Sequence, residues 1–142
     1  MSKTVPAMVA CLVGCIALSA FSFAEPLHYR LASDASLRGK TKDGQCMDYA
    51  LALSSRLAAH DIHGQLIFYR WHIINTDVRG SHVFVRYHLP DNTEWIVDNE
   101  IPHPRPVPVG ASSMQLVFLL SGTPSAPVEV ELQETLNQLS YF

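Results

Sequence analysis

The sequence predicts an α+β fold in which one amphipathic helix precedes an antiparallel sheet. Between residues 46 and 60, apolar side chains recur at helical spacing and form a single stripe of Cys46, Ala50, Leu53 and Leu57. Three later runs are rich in aliphatic and aromatic residues and are separated by turn-forming residues, at 65–71, 82–88 and 94–98. Because the helical pattern comes first and the strand patterns follow one another, we expect a helix packed on an antiparallel meander.

The second and third strand patterns are expected to form a hairpin whose register follows from charge. Within residues 82–88, alternate side chains face opposite sides of the sheet. If Arg86 lies opposite Glu94 as an opposite-charge pair, apolar residues also face apolar residues across the hairpin. The same register places His82 opposite Asp98 and so predicts an imidazole beside a carboxylate.

The remaining segments carry weaker patterns. Residues 25–42 are mixed in character, and the chain after residue 99 is rich in proline, so that this part is expected to run extended over the surface. Residues 114–120 predict a buried strand or another short apolar segment. Pro127 is expected to begin a C-terminal helix, with leucines at helical spacing at Leu132, Leu136 and Leu139.

Residues 1–24 are typical of a secretory signal peptide. Lys3 is followed by an uncharged apolar run, and SFA (residues 22–24) supplies small residues for cleavage. A membrane anchor is the first alternative, but the run is short for a span of about 20 residues. Lipidation at Cys15, in LVGC (residues 12–15), is the second. We therefore expect a single domain over residues 25–142, periplasmic or secreted, with no stable membrane insertion after cleavage.

The charge pattern argues against a nucleic-acid partner. The chain has a formal net charge of −3 at pH 7, and its charged residues are dispersed without a basic stripe. Binding to phosphates needs clustered Lys and Arg side chains, which this sequence does not provide.

Cys46 is the one cysteine beyond the predicted signal peptide. A lone thiol in an exported protein cannot form an internal disulfide, so it is either incidental or reactive. Cys46, His82 and Asp98 in this order suggest a thiol nucleophile, a general base and a carboxylate that orients the base. The first backbone amides of a helix lack internal partners, so the N–H of Cys46 is a candidate oxyanion donor, with the Gln45 side chain as a possible second.

Three segments carry a resemblance to a known family: GQCMDYA (residues 44–50), SHVFV (residues 81–85) and WIVDN (residues 95–99). Together they resemble the bacterial transglutaminase-like cysteine proteinases, over roughly residues 40–120. The resemblance implies a papain-like or transglutaminase-like core with an N-terminal catalytic helix. It also implies Cys46 as nucleophile, His82 as general base and Asp98 as its partner, acting on a protein or peptide substrate in the cell envelope. The implied reaction passes through a thioester and ends by transfer to water or to an amine.

The sequence departs from this family at the cysteine's flanks. Members that cleave adhesins commonly carry acids on both sides of the cysteine and bind calcium there, whereas Gln45 and Met47 are neutral. Because calcium prefers several oxygen ligands, we predict neither a metal nor another cofactor. Two alternatives to the peptidase remain: a catalytically degenerate binding or accessory module of the envelope, and an inert structural protein with Cys46 sealed in its core.

Overall fold

The computed structural model describes residues 24–38 and 44–136. The predicted signal peptide, apart from Ala24, and the alternative lipidation site at Cys15 lie outside these residues, as does Leu139. Within the described residues, no helix is both long enough and apolar enough to cross a membrane.

The architecture is α+β, with one helix packed on a five-stranded antiparallel sheet, as the sequence predicts. The helices are α1 (Leu27–Ser33), the single turn α2 (Ala35–Arg38), α3 (Cys46–Ala58) and α4 (Ser113–Ser121). The strands are β1 (Gly64–Ile73), β2 (Arg79–His88), β3 (Glu94–Val97), β4 (Arg105–Pro106) and β5 (Val128–Leu136). They are ordered β4-β3-β2-β1-β5 in the sheet.

The sheet buries a core on each of its faces. Helix α3 covers one face, where its buried stripe packs against Val83, Val85 and Tyr87 of β2. On the other face, Phe84 of β2 packs with Leu116 and Val117 of α4. Strand alternation explains this division, because successive side chains of β2 point to opposite faces. The predicted alternation along residues 82–88 is thus confirmed, and helix α3 begins at Cys46 as predicted.

The predicted hairpin register is wrong by two residues. In the structure, Arg86 lies opposite Ile96, and Glu94 lies opposite His88. A shift by an even number keeps every side chain on its predicted face. Diagonal neighbours on one face remain within reach of long side chains, so Arg86 still forms its ion pair with Glu94. The predicted contact between His82 and Asp98 also forms across a diagonal.

The C-terminal helix predicted from Pro127 is wrong, because residues 128–136 form strand β5. The segment VEVEL (residues 128–132) alternates apolar and acidic residues, which is the pattern of a strand. The leucines from Leu132 onward have the spacing of a helix, so the sequence satisfies both patterns. Strand β5 pairs with β1, with Val130 opposite Trp71. Neighbouring β1 supplies backbone partners, and this decides between the two periods.

Residues 113–121 form helix α4, so the strand alternative for residues 114–120 is also wrong. The helix begins with a capping box, in which the Ser112 hydroxyl accepts a hydrogen bond from the Gln115 backbone. The Gln115 side chain accepts one from the Ser112 amide at 2.8 Å. In the weakly patterned N-terminal part, residues 27–33 and 35–38 form α1 and α2. The proline-rich part does not simply run extended over the surface, because it bends at residues 99–103, buries Ile101 and Pro104, and turns at residues 109–110 after the short edge strand β4.

Candidate active site

Cys46 is the first residue of α3 and stands at the edge of the helix–sheet interface. Gly44, at φ +81°, forms the turn before it, and Gln45 occupies the N-cap position without a side-chain cap hydrogen bond. The thiol is half-buried and packs against the core between α3 and the sheet. The helix therefore presents a sulfur atom beside backbone amides that the N-cap side chain does not cap.

Asp98 follows β3 directly and is held by both of its carboxylate oxygens. Its Oδ2 lies 3.0 Å from Nε2 of His82 on β2. Its Oδ1 accepts hydrogen bonds from the backbone amides of Glu100 and Ile101, each at 2.9 Å. Burial alone would raise the pKa of Asp98, but the hydrogen bond from His82 and those from the backbone amides outweigh burial and lower it. Asp98 is therefore a fixed, ionised partner for the imidazole.

The hydrogen bond to Asp98 determines which nitrogen of His82 is left for proton transfer. An ionised carboxylate only accepts, so Nε2 carries the proton that it shares with Asp98. In the neutral ring, Nδ1 is then the atom with a free lone pair. His82 also contacts the ring of Tyr69 on β1 edge to face, with ring centroids 5.8 Å apart. Burial, with the charges of Asp98 and Glu100, raises the pKa of Tyr69 to about 12, so its hydroxyl stays protonated.

One cleft of about 620 Å³ is lined by residues that include both Cys46 and His82. Its lining comes from the start of α3, from β1 and β2 and from the segment after β3: Gly44, Cys46, Met47, Phe68, Arg79, Gly80, Ser81, His82, Asn99 and Glu100. No hydrogen bond joins the Cys46 sulfur to His82 within the described part of the chain. The His82 side chain contacts Tyr69 on the α4 face of the sheet, whereas Val83 and Cys46 pack on the α3 face. The structure thus joins His82 to Asp98 and places Cys46 at the same cleft, with no hydrogen bond between Cys46 and His82 in the described residues.

Three donor groups of the site lie close enough together to surround a cation. Nitrogen and oxygen atoms of His82, Asp98 and Glu100 lie within 4.8 Å of one another in the described residues. Both oxygens of Asp98 already accept hydrogen bonds, so a cation would have to share this carboxylate with His82 and the backbone amides. One nitrogen and two carboxylates are also too few ligands for calcium, which takes six to eight oxygens. The expected absence of a metal stays a prediction.

Gln45 lies next to the cleft but does not line it. Its side-chain oxygen Oε1 is buried and has no hydrogen-bond partner in the described residues. The role predicted for Gln45 as an oxyanion donor therefore stays a prediction. The backbone amides at the start of α3 stay the other candidate donors.

The sequence did not indicate Tyr69, Arg79 or Glu100 as parts of the site. Tyr69 lies directly opposite His82 in the pairing of β1 with β2. The alternation along β1 predicts which face Tyr69 occupies. Tyr69 could have been placed beside His82 only if the register between β1 and β2 were also known. Glu100 lies two residues after Asp98, and the acidic segment DNE (residues 98–100) was its only sequence signal.

Comparison with known proteins adds no relative. No family model, no curated protein and no solved structure matches this chain. Its function is therefore argued from the chemistry of the site.

Proposed function

We propose that this protein is an exported thiol-dependent amide hydrolase, a cysteine peptidase of the transglutaminase-like type, with the triad Cys46, His82 and Asp98. One observation carries the proposal: a partly buried His–Asp hydrogen bond of 3.0 Å lies at a cleft that Cys46, the first residue of a helix, also lines. The resemblance of the three motifs to the proteinase family supports it, and so does the helix packed on an antiparallel sheet.

In the first half-reaction, Nδ1 of His82 takes the proton from the Cys46 thiol. The thiolate attacks the carbonyl carbon of the amide, and the helix-start amides stabilise the oxyanion that forms. The C–N bond then breaks as the imidazolium returns its proton to the leaving amine. A thioester joins the acyl group to Cys46, and Asp98 holds the ring in the tautomer that both transfers need.

In the second half-reaction, His82 removes a proton from water, which attacks the thioester. The carboxylic acid leaves and the thiol is restored. An amine in place of water would give acyl transfer through the same thioester. Both half-reactions require the Cys46 sulfur to come within hydrogen-bond distance of Nδ1. Catalytic hydrogen bonds are often long in enzymes without substrate.

Alkylation of Cys46 tests the proposal directly. The rate of iodoacetamide labelling at mildly acidic pH, with the modified residue located by mass spectrometry, should be at least about tenfold lower in His82→Ala than in the wild type, because the thiolate is the reactive form and His82 is the proposed base that generates it. Cys46→Ser is the blank, and His88→Ala is the matched control, since His88 is an exposed residue of the same strand. Identical pH profiles of labelling in the wild type and His82→Ala would contradict the triad.

A second candidate function is a degenerate binding module of the cell envelope. The observation that favours it is the missing hydrogen bond between Cys46 and His82 in the described residues. It predicts that a Cys46→Ala variant binds its peptide partner as tightly as the wild type. It also predicts that no acylated Cys46 accumulates when an activated ester substrate is added.

A further inference from the structure

We propose that Arg70 and Arg79 form an anion-binding subsite that receives a carboxylate of the substrate next to the amide that is cleaved. The inference rests on the proposed function for the identity of the bond, and it adds the class of substrate. It follows from where the two guanidinium groups stand relative to the Cys46 cleft.

The two arginines lie on the face of the sheet that α3 covers, beyond the start of that helix. Arg70 on β1 is directly opposite Ser81 on β2, and Arg79 is directly opposite His72. Opposite residues share a face, so Arg70 and Arg79 are diagonal neighbours on the face that includes Phe68. Arg70, Arg79 and Ser81 are all exposed. The floor of the cleft therefore continues from the thiol onto a cationic surface.

Two clefts meet at Arg79. A larger cleft of about 850 Å³ is lined by both arginines, and it shares Arg79, Gly80 and Ser81 with the cleft that contains Cys46. The guanidinium of Arg70 lies over the ring of Phe68, 5.7 Å from its centroid, and Phe68 also lines the Cys46 cleft. A substrate bound across both clefts would thus have its cleaved amide at Cys46 and its neighbouring group between two cations.

The two acids of the larger cleft, Glu129 and Glu131, form no ion pair with either arginine in the described residues. Glu129 lies 3.2 Å from His72. Glu131 lies opposite Arg70 on β5, yet among the described residues no carboxylate lies within ion-pair distance of Arg70 or Arg79. A guanidinium binds a carboxylate through two parallel hydrogen bonds, and two guanidinium groups favour an anion over a neutral amide. The ligand is therefore a carboxylate, from either an acidic side chain or a free peptide C terminus.

Four fluorogenic peptides test the subsite and distinguish these two sources. One pair differs only by Glu or Gln beside the cleaved bond, and the other pair only by a free or an amidated C terminus. We expect the wild type to prefer the carboxylate in one pair by about tenfold in kcat/KM, mainly through KM, since charge-assisted hydrogen bonds act in binding. The Arg70→Gln/Arg79→Gln double variant should lose that preference. Arg30→Gln, an exposed arginine on α1, is the matched control.

Binding by Cys46→Ser separates failure of the subsite from failure of the proposed chemistry. The four peptides are titrated into this variant and into the same variant with both arginines replaced by Gln. An affinity preference for the carboxylate that disappears with the arginines supports the subsite even where no peptide is cleaved. Equal affinities within each pair, or a preference that survives both replacements, would overturn it. Cleavage by Cys46→Ser at the wild-type rate would instead overturn the thiol mechanism.

Discussion

Asp98 shows how one buried carboxylate combines a structural role with a proposed chemical one. One oxygen accepts hydrogen bonds from two backbone amides in the segment that follows β3, and the other is hydrogen-bonded to His82. The residue is 3% exposed, so any group left without a partner there is also without water. The two roles can be separated by substitution, because Asn keeps the acceptor for the amides and Ala removes it.

Asp98→Ala should destabilise the fold more than Asp98→Asn. Removing the carboxylate leaves the amides of Glu100 and Ile101 without their acceptor, and an unsatisfied buried donor costs about 1–3 kcal/mol. Asn offers its side-chain oxygen to the same amides, so its cost should be smaller. Urea unfolding of the three proteins measures the difference. Equal midpoints for the Ala and Asn variants would show that these hydrogen bonds contribute nothing to stability.

Asp98→Asn should nevertheless impair the proposed chemistry. An Asn side chain can donate its N–H to Nε2 of His82, which places the ring proton on Nδ1, the atom that must receive the thiol proton. Labelling of Cys46 by iodoacetamide at mildly acidic pH should fall at least about tenfold, as in His82→Ala. Wild-type labelling in a well-folded Asp98→Asn protein would argue against Asp98 as the orienting group.

Cys46, His82 and Asp98 could be predicted from the sequence because strand alternation and short motifs depend only on residues that are close together in the chain. The wrong register did not separate His82 from Asp98, since an even shift preserves the face and long side chains reach diagonally. Tyr69 and Arg79 could not be placed in the same way. Their positions depend on the pairing of β1 with β2, and the connection at residues 74–78 has no turn signal that fixes a register.

Strands β1 and β2 approach each other closely at the first residue of β1, which is Gly64. A Cβ atom added to Gly64 would lie 2.5 Å from the backbone oxygen of Arg86 and 2.9 Å from Cβ of Tyr87. Gly64 therefore begins β1 because the strand approaches its neighbour there. The chain turns earlier, at Asp61, which adopts φ 58°.

Gly64→Ala should destabilise the protein by about 1–3 kcal/mol, because the clash is with backbone that cannot move without disturbing the strand pairing. Gln133→Ala is the matched control, since Gln133 is an exposed residue in β5, and it should change stability by less than about 0.5 kcal/mol. Chemical denaturation followed by circular dichroism measures both. A Gly64→Ala protein as stable as the wild type would show that the strands separate there at no cost.

The two wrong element assignments have a common physical cause. Residues 128–136 satisfy both a helical and a strand period, and the free edge of β1 selects the strand. Residues 113–121 are apolar without a clear period, and the capping box that begins α4 decides in favour of a helix. In α3 the apolar stripe is unambiguous, so its start at Cys46 could be predicted.

For the molecule as a whole, α1 is attached to the sheet through His28. Nδ1 of His28 lies 2.8 Å from the hydroxyl of Tyr87 on β2, and its ring packs against Trp95 of β3 at a centroid distance of 4.6 Å. The hydroxyl of Tyr49 on α3 donates to the Ala32 carbonyl at 3.0 Å. These contacts join distant parts of the chain, so no local pattern in residues 25–42 could have predicted them.

The attachment of α1 should make stability depend on pH. Burial lowers the pKa of His28, and the charge of Asp91 offsets this only in part. Below the unfolded pKa of about 6.5, His28 binds a proton more readily in the unfolded chain than in the folded protein. Its contribution to the free energy of unfolding is therefore fully present above this pH and is lost as the pH falls below it. One such group contributes a slope of at most about 1.4 kcal/mol per pH unit. The lowered pKa values of Asp34 and Asp98 act in a separate, more acidic range.

Urea unfolding at several pH values between 7 and 5 measures this slope. In His28→Gln the side chain can still bond to the Tyr87 hydroxyl but does not titrate, so the decrease in unfolding free energy toward pH 5 should become shallower. His60→Gln, at an exposed position after α3, should keep the wild-type slope. An unchanged slope in His28→Gln would mean that the pKa of His28 is the same in the folded and the unfolded protein. In that case α1 would have to separate from Tyr87 and Trp95 before the rest of the fold is lost.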